Sequence, residues 1–275
     1  MDPIFIGMTA MLCLLVLSAV GIPVGIALGM VGLTGLWITS GPEMALISLR
    51  TLPYALGTSY NLVVVPMFIL MGLVVSSAGM VTELYNVIYR WFARFRGGML
   101  MVTTVASATF GAISGSTVVN ATVFTRIVLP EMVQLGYKPS VGAAAIGAAG
   151  TLAALIPPSI MFVIYAIVTR QSIGPLLLAG FLPGLLTTVV YLIGIAVYVR
   201  LFKDWAPVPG RRYRWKDRFA GMYRLWPLLA LFIIVVGGIY SGLTHPSVAG
   251  TVGVISAIVI LLLQRRCLWQ ICGTA

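Results

Sequence analysis

Charged positions cut this chain into long uncharged runs, at 3–42, 51–82, 97–125, 139–169, 171–199 and 225–264. A membrane-crossing helix needs about 20 apolar residues. The first and last runs are long enough for two helices each, and most of the others for one. Short turns at Gly21-Ile22-Pro23 and Leu243-Thr244-His245-Pro246 set the pairs at 4–21 with 23–39 and at 225–241 with 246–263. The run at 44–59 carries Arg50 and Pro53 in its middle. It makes a poor span and reads as an interfacial or arm helix. Residues 61–82 read as one inward-running helix. The fold class is therefore all-α and polytopic, with no soluble domain.

Two tracts break the apolar pattern inside spans. The first is Gly111-Ala112-Ile113-Ser114-Gly115-Ser116-Thr117, and the second is Gly150-Thr151-Leu152-Ala153-Ala154-Leu155-Ile156-Pro157-Pro158-Ser159. Freed backbone groups are tolerated at that depth only against protein or a water-filled cavity. Paired interruptions of this kind point to an ion and substrate site in a secondary transporter.

Charge turns the first interruption into a hairpin. Basic residues cluster at 90–96 and at 200–224, and both stretches belong on the cytoplasmic side. A single crossing at 97–125 would put the second cluster outside. A chain that enters, turns at Ser114-Gly115-Ser116-Thr117 and returns puts it inside. Arg126 lies eleven residues past the tip, roughly 16 Å of helix and so back near an interface. The expected order is a re-entrant hairpin over 98–133, a broken helix over 139–169, a helix over 174–200 and the basic loop. These form a first repeat, 1–222. The helices in 223–264 enter from the opposite side and open a second, inverted repeat, followed by a tail at 265–275.

The hairpin tip offers hydroxyls, carbonyls and a helix amino terminus. Such oxygens suit a hard cation, and helix amino termini attract anions. Ser116, Thr117 and Asn120 begin the returning arm and either cap it or coordinate. Small polar residues also pack bundles without binding anything. Pro157 and Pro158 remove two amide donors and free carbonyls near 151–155, and Ser159 can cap the restart. Gly142, Gly147 and Gly150 with their neighbouring alanines make a thin half-helix that another element can approach closely.

Composition adds little beyond this. Apolar residues are 60% of the chain and charged ones 8%. The net charge of +11 sits at helix ends, so it reports topology and contact with membrane lipid rather than a nucleic-acid partner. Cys13, Cys267 and Cys272 form no ligand pattern. The six carboxylates and the one histidine, His245, make no catalytic set. Glu131, at the foot of the hairpin, reads as structural. No phosphate-binding loop is present. Enzyme and ATP-driven classes are thereby disfavoured.

These residues resemble the large membrane subunit of tripartite ATP-independent periplasmic (TRAP) transporters, the DctM type. The shared pieces are the first tract, Gly150-Thr151-Leu152 with Leu155-Ile156-Pro157-Pro158-Ser159, Leu129-Pro130-Glu131-Met132, Gly136-Tyr137, Val65-Pro66-Met67-Phe68 with Gly72, Arg96-Gly97-Gly98, and Gly237-Gly238-Ile239-Tyr240-Ser241-Gly242. The resemblance implies an elevator-type importer of the bacterial inner membrane. Sodium would be its coupling ion and no cofactor would be needed. Its substrates would be organic acids such as C4-dicarboxylates or sialic acid. A periplasmic substrate-binding protein and a small four-helix membrane subunit would be its partners. It further implies a sodium and substrate site from Ser114, Gly115, Ser116, Thr117 and Asn120 at the tip, with Gly150, Thr151, Leu155, Ile156, Pro157 and Ser159 at the broken helix. Ala153 and Asn120 depart from the family pattern. So does the length, because the family has a second hairpin and a second broken helix. A chain of this length is expected to be a truncated or split subunit, with a non-transporting membrane scaffold as the alternative.

Overall fold

A computed structural model of the chain describes residues 3–202, 206–207, 213–219 and 221–264. Lys203, Arg211 and Arg212 of the basic loop, and the tail at 265–275 with Cys267 and Cys272, lie outside the described residues. Every described element is helical.

The contacts divide the chain into two units, with the boundary between Tyr60 and Asn61. The first holds α1 (Pro3–Ala19), α2 (Val24–Ser40) and α3 (Pro42–Gly57), packed in sequence order. Its large apolar side chains face outward, Phe5, Leu12, Trp37 and Tyr54 among them. That suits lipid, which is as apolar as the side chains it meets.

The second unit opens with α4 (Val64–Ser77) and α5 (Met80–Phe92). The single helix expected over 61–82 is not seen. Gly79 adopts φ 72°, and α5 turns 67° away from α4. The helical periodicity of α5 accounts for the turn: Val81, Leu84, Tyr85 and Val87 are buried, whereas Thr82 and Asn86 are exposed. An amphipathic helix of this kind buries one stripe and leaves the other to a polar medium. The basic stretch at 90–96 therefore begins inside a helix rather than in a loop.

The hairpin follows as α6 (Gly98–Ser114) and α7 (Thr117–Gln134), close to the expected 98–133. Nearly all of α6 is buried. Thr103 and Thr104 satisfy their hydroxyls on the carbonyls of Met99 and Leu100 one turn back. Protein encloses most of α6, the condition that an interrupted segment would need at membrane depth. The broken helix runs as α8 (Pro139–Gly150), α9 (Leu152–Leu155) and α10 (Ile160–Thr169), bent by 46°. Then come α11 (Ile173–Leu201), a short α12 (Trp215–Phe219), α13 (Trp226–Phe232) and α14 (Gly238–Tyr240) joined by a π-helical turn, and α15 (Pro246–Leu263).

By length and composition, α11, the segment Trp215–Tyr240 and α15 can each cross a bilayer, and the two bent pairs make up to five such spans. Core packing is close. Ala249, Gly250, Gly253 and Ala257 form a small buried face on α15, and α4 lies along that helix. Gly250 leaves so little room that a Cβ there would stand 2.9 Å from the Met67 Cβ. Between helices in lipid, such close approach rather than water exclusion supplies the attraction.

Candidate functional site

The turn between α6 and α7 is made by two residues. Gly115 adopts φ 59°, φ in the left-handed region, and its N–H closes α6 on the Gly111 carbonyl at 2.9 Å. Glycine takes that conformation without a Cβ penalty. Ser116 is extended, and its Oγ accepts from the Val119 N–H at 3.3 Å, capping α7. Of the two roles open to Ser116, capping is the one observed. One turn on, Asn120 ties the arms together. Its Oδ1 accepts from Ser107 Oγ at 2.8 Å, and its Nδ2 donates to the Ser107 carbonyl at 2.8 Å. Those bonds hold the hairpin shut and turn the amide toward the other arm.

The tip is bonded to the break in the second helix. The Gly115 carbonyl accepts from the Ile160 N–H at 3.0 Å, across 45 residues of chain. A Cβ on residue 115 would fall 2.6 Å from the Pro158 carbonyl oxygen. One turn earlier, a Cβ on Gly111 would fall 2.8 Å from the Ala153 Cα. The thin half-helix expected from Gly142 and Gly150 also receives the returning arm. Gly142 meets Leu129 and Met132, and Gly150 meets Ala121. Gly147 has nothing within 4 Å and takes no part.

At the break, Pro157 and Pro158 carry no N–H, so Ala153 and Ala154 lose their usual helical donors. Ser159 compensates for one of them. It is fully buried, and its Oγ donates to the Ala154 carbonyl at 2.7 Å. The sequence suggested that Ser159 would cap α10, but its side chain makes no such bond. The hydroxyl turns back because the orphaned carbonyl lies behind it.

Ser114 has no such use. It is fully buried, and its Oγ has no hydrogen-bond partner among the described residues. It is pressed against α4, where a Cβ on Gly72 would stand 2.8 Å from its own Cβ. Leaving a buried hydroxyl unbonded costs about 1–3 kcal/mol, and such a group calls for an explanation. An unbonded hydroxyl at the tip, with the Ala153 carbonyl freed at the break to which that tip is bonded, offers uncharged oxygen donors of the kind that suit a hard cation rather than a soft metal.

The expected site residues therefore divide. Ser114, Gly115, Ser116, Pro157 and Ser159 lie at the tip and the break that it contacts. Thr117 adjoins the tip, with its carbonyl 3.7 Å from where a Cβ on Gly150 would sit. Thr151 is exposed, and its hydroxyl bonds the Ala148 carbonyl at 2.7 Å and reaches Tyr191 of α11 at 3.2 Å. Leu155 and Ile156 are turned to α11 as well, where Gly180 and Gly184 admit them. A Cβ at 180 would fall 2.8 Å from the Leu155 carbonyl oxygen, and one at 184 would fall 3.3 Å from the Ile156 Cα. Sequence reasoning missed those two glycines. Their four-residue spacing, Gly180-Phe181-Leu182-Pro183-Gly184, is the small-xxx-small signal for close helix approach.

A buried helical hairpin bonded at its tip to a proline-broken helix, within an all-α multi-pass chain, defines the class: a membrane protein built like a secondary transporter. The model of the family described as "Tripartite ATP-independent periplasmic transporter, DctM component" matches residues 11–271. This chain belongs to that family and is a multi-pass protein of the inner membrane. The match runs into the tail at 265–275, as far as residue 271.

Among similar proteins is the C4-dicarboxylate TRAP transporter large permease protein DctM of Vibrio cholerae. It is 34% identical over 90% of this chain and 54% of its own length. The ectoine/5-hydroxyectoine large permease UehC of Ruegeria pomeroyi is 35% identical over 75% of this chain and 47% of its own. The sialic acid permease SiaT of Haemophilus influenzae is 28% identical over 91% and 40%. The chain spans about half the length of the curated relatives it matches most strongly. These relatives are transport proteins, not enzymes.

Proposed function

We propose that this chain works as the large permease subunit of a sodium-driven importer of organic acids. A periplasmic substrate-binding protein would feed it, and a small four-helix membrane subunit would accompany it. In this reading, residues 1–222 form the first of two inverted repeats and 223–264 open the second. The hairpin and broken helix carry one ion and half of the substrate pocket in an elevator movement. One observation carries the proposal: the buried, unbonded Ser114 hydroxyl sits at a hairpin tip fastened to a helix break.

Sodium is cargo here, not a resident cofactor. Ser114 Oγ and the Ala153 carbonyl freed by Pro157 are its candidate ligands, the Ala154 carbonyl being taken by Ser159. The amino terminus of α7 supplies the positive dipole end that a substrate carboxylate would meet. C4-dicarboxylate, ectoine and sialic acid are the cargoes named for the relatives. An organic acid is proposed for this chain on the strength of that kinship.

The test is uptake of succinate into proteoliposomes that hold the permease with its membrane and binding-protein partners, under an imposed sodium gradient. Ser114→Ala is expected to lower sodium-driven uptake by about tenfold, the equivalent of losing ~1.4 kcal/mol of ion binding. Uptake that ignores the sodium gradient in the unaltered protein would contradict the proposal.

A further inference from the structure

The second unusual polar group lies far from the hairpin in sequence. Arg218, on α12, is only 5% exposed. Its guanidinium carbon stands 5.0 Å from the Trp215 ring centroid and 5.9 Å from that of Trp91 on α5. The rings form a box. Trp91 meets Trp215 edge-on at 6.2 Å and Phe219 edge-on at 5.2 Å. Arg90 fastens the two helices, its Nη1 donating to the Asp217 carbonyl at 3.0 Å.

Aromatic faces attract a guanidinium but accept few of its five N–H groups. Arg218 Nε has no hydrogen-bond partner among the described residues. A buried charge needs a pairing partner and acceptors. A phosphate supplies both, because its oxygens match the guanidinium fork.

The surroundings say where that phosphate comes from. Trp215 and Phe219 are 63% and 56% exposed beside the buried cation. Arg90, Arg94, Arg214, Lys216 and Arg224 belong to the same basic stretches. Tryptophan and arginine together mark the headgroup level of a bilayer. A dissolved anion would use the arginine but leave the two rings bare. A lipid uses both.

We propose that α5 and α12 form a binding site for an anionic phospholipid. Arg218 holds the phosphate, and Trp215 and Phe219 pack on the glycerol and upper acyl chains. The site is independent of the hairpin and of the transported substrate.

The test uses the full chain in nanodiscs of equimolar phosphatidylglycerol and phosphatidylcholine, with retained lipid read by native mass spectrometry after release. The unaltered chain is expected to retain phosphatidylglycerol over phosphatidylcholine by about fivefold, the selectivity that ~1 kcal/mol per basic side chain supplies. Arg218→Gln should abolish the preference. Trp215→Ala, which removes an exposed ring and leaves the charge, should lower it. Arg170→Gln, an equal loss of charge elsewhere, should keep it. Equal retention by Arg218→Gln and the unaltered chain would overturn the proposal. So would a matching loss in Arg170→Gln, or displacement of the lipid by millimolar inorganic phosphate.

Discussion

The two interruptions solve one problem by opposite means. At the hairpin tip a glycine takes φ in the left-handed region and the chain reverses. At the break two prolines withhold their amides and the chain bends but continues. Each place has a fully buried serine, Ser114 and Ser159. Ser159 gives its hydroxyl to the carbonyl that Pro158 orphaned. Ser114 gives its hydroxyl to nothing described. The same residue type is thus structural at one interruption and uncommitted at the other. The uncommitted one is the candidate for the ion.

Removing the contact between the two places should have the largest effect. Gly115→Ala forces a Cβ onto the Pro158 carbonyl and strains φ. The combined cost is roughly 2–5 kcal/mol, seen as a lower melting temperature and loss of sodium-driven uptake. Ser159→Ala comes next. It leaves the Ala154 carbonyl unbonded, at about 1–3 kcal/mol, and should lower thermal stability while sparing sodium selectivity. Ser116→Ala removes only a cap, at about 1 kcal/mol, and urea or thermal unfolding should register that small change. A Ser116→Ala loss larger than that of Ser159→Ala would reverse the comparison.

Much of this was legible beforehand because its causes are local. The Gly-Ser tract between apolar arms, joined to the charge on flanking loops, placed the hairpin within a residue or so of Gly98–Gln134. The proline pair placed the break. The turn at Gly79 was missed because 61–82 was read by apolar content alone. The i, i+3, i+4 spacing of Val81, Leu84 and Tyr85 was already present and signalled a separate amphipathic helix. The docking of Leu155 and Ile156 on Gly180 and Gly184 was not drawn either, since spacing names a close-approach face but not what approaches it. Which serine would be satisfied was beyond local reasoning. It depends on Gly115 meeting Ile160 across the fold, and on Gly72 pressing Ser114 from α4.

The most direct measurement is the sodium-dependent melting temperature of the purified chain, with choline chloride as the control salt. An ion that binds only the folded protein stabilises it by about 2.7 kcal/mol at a hundredfold excess over its dissociation constant. The unaltered chain and Ser159→Ala should both gain stability from sodium, the latter from a lower baseline. Ser114→Ala, which removes the unbonded hydroxyl, should start from an equal or higher baseline and gain nothing from sodium. A full sodium shift in Ser114→Ala would contradict the account.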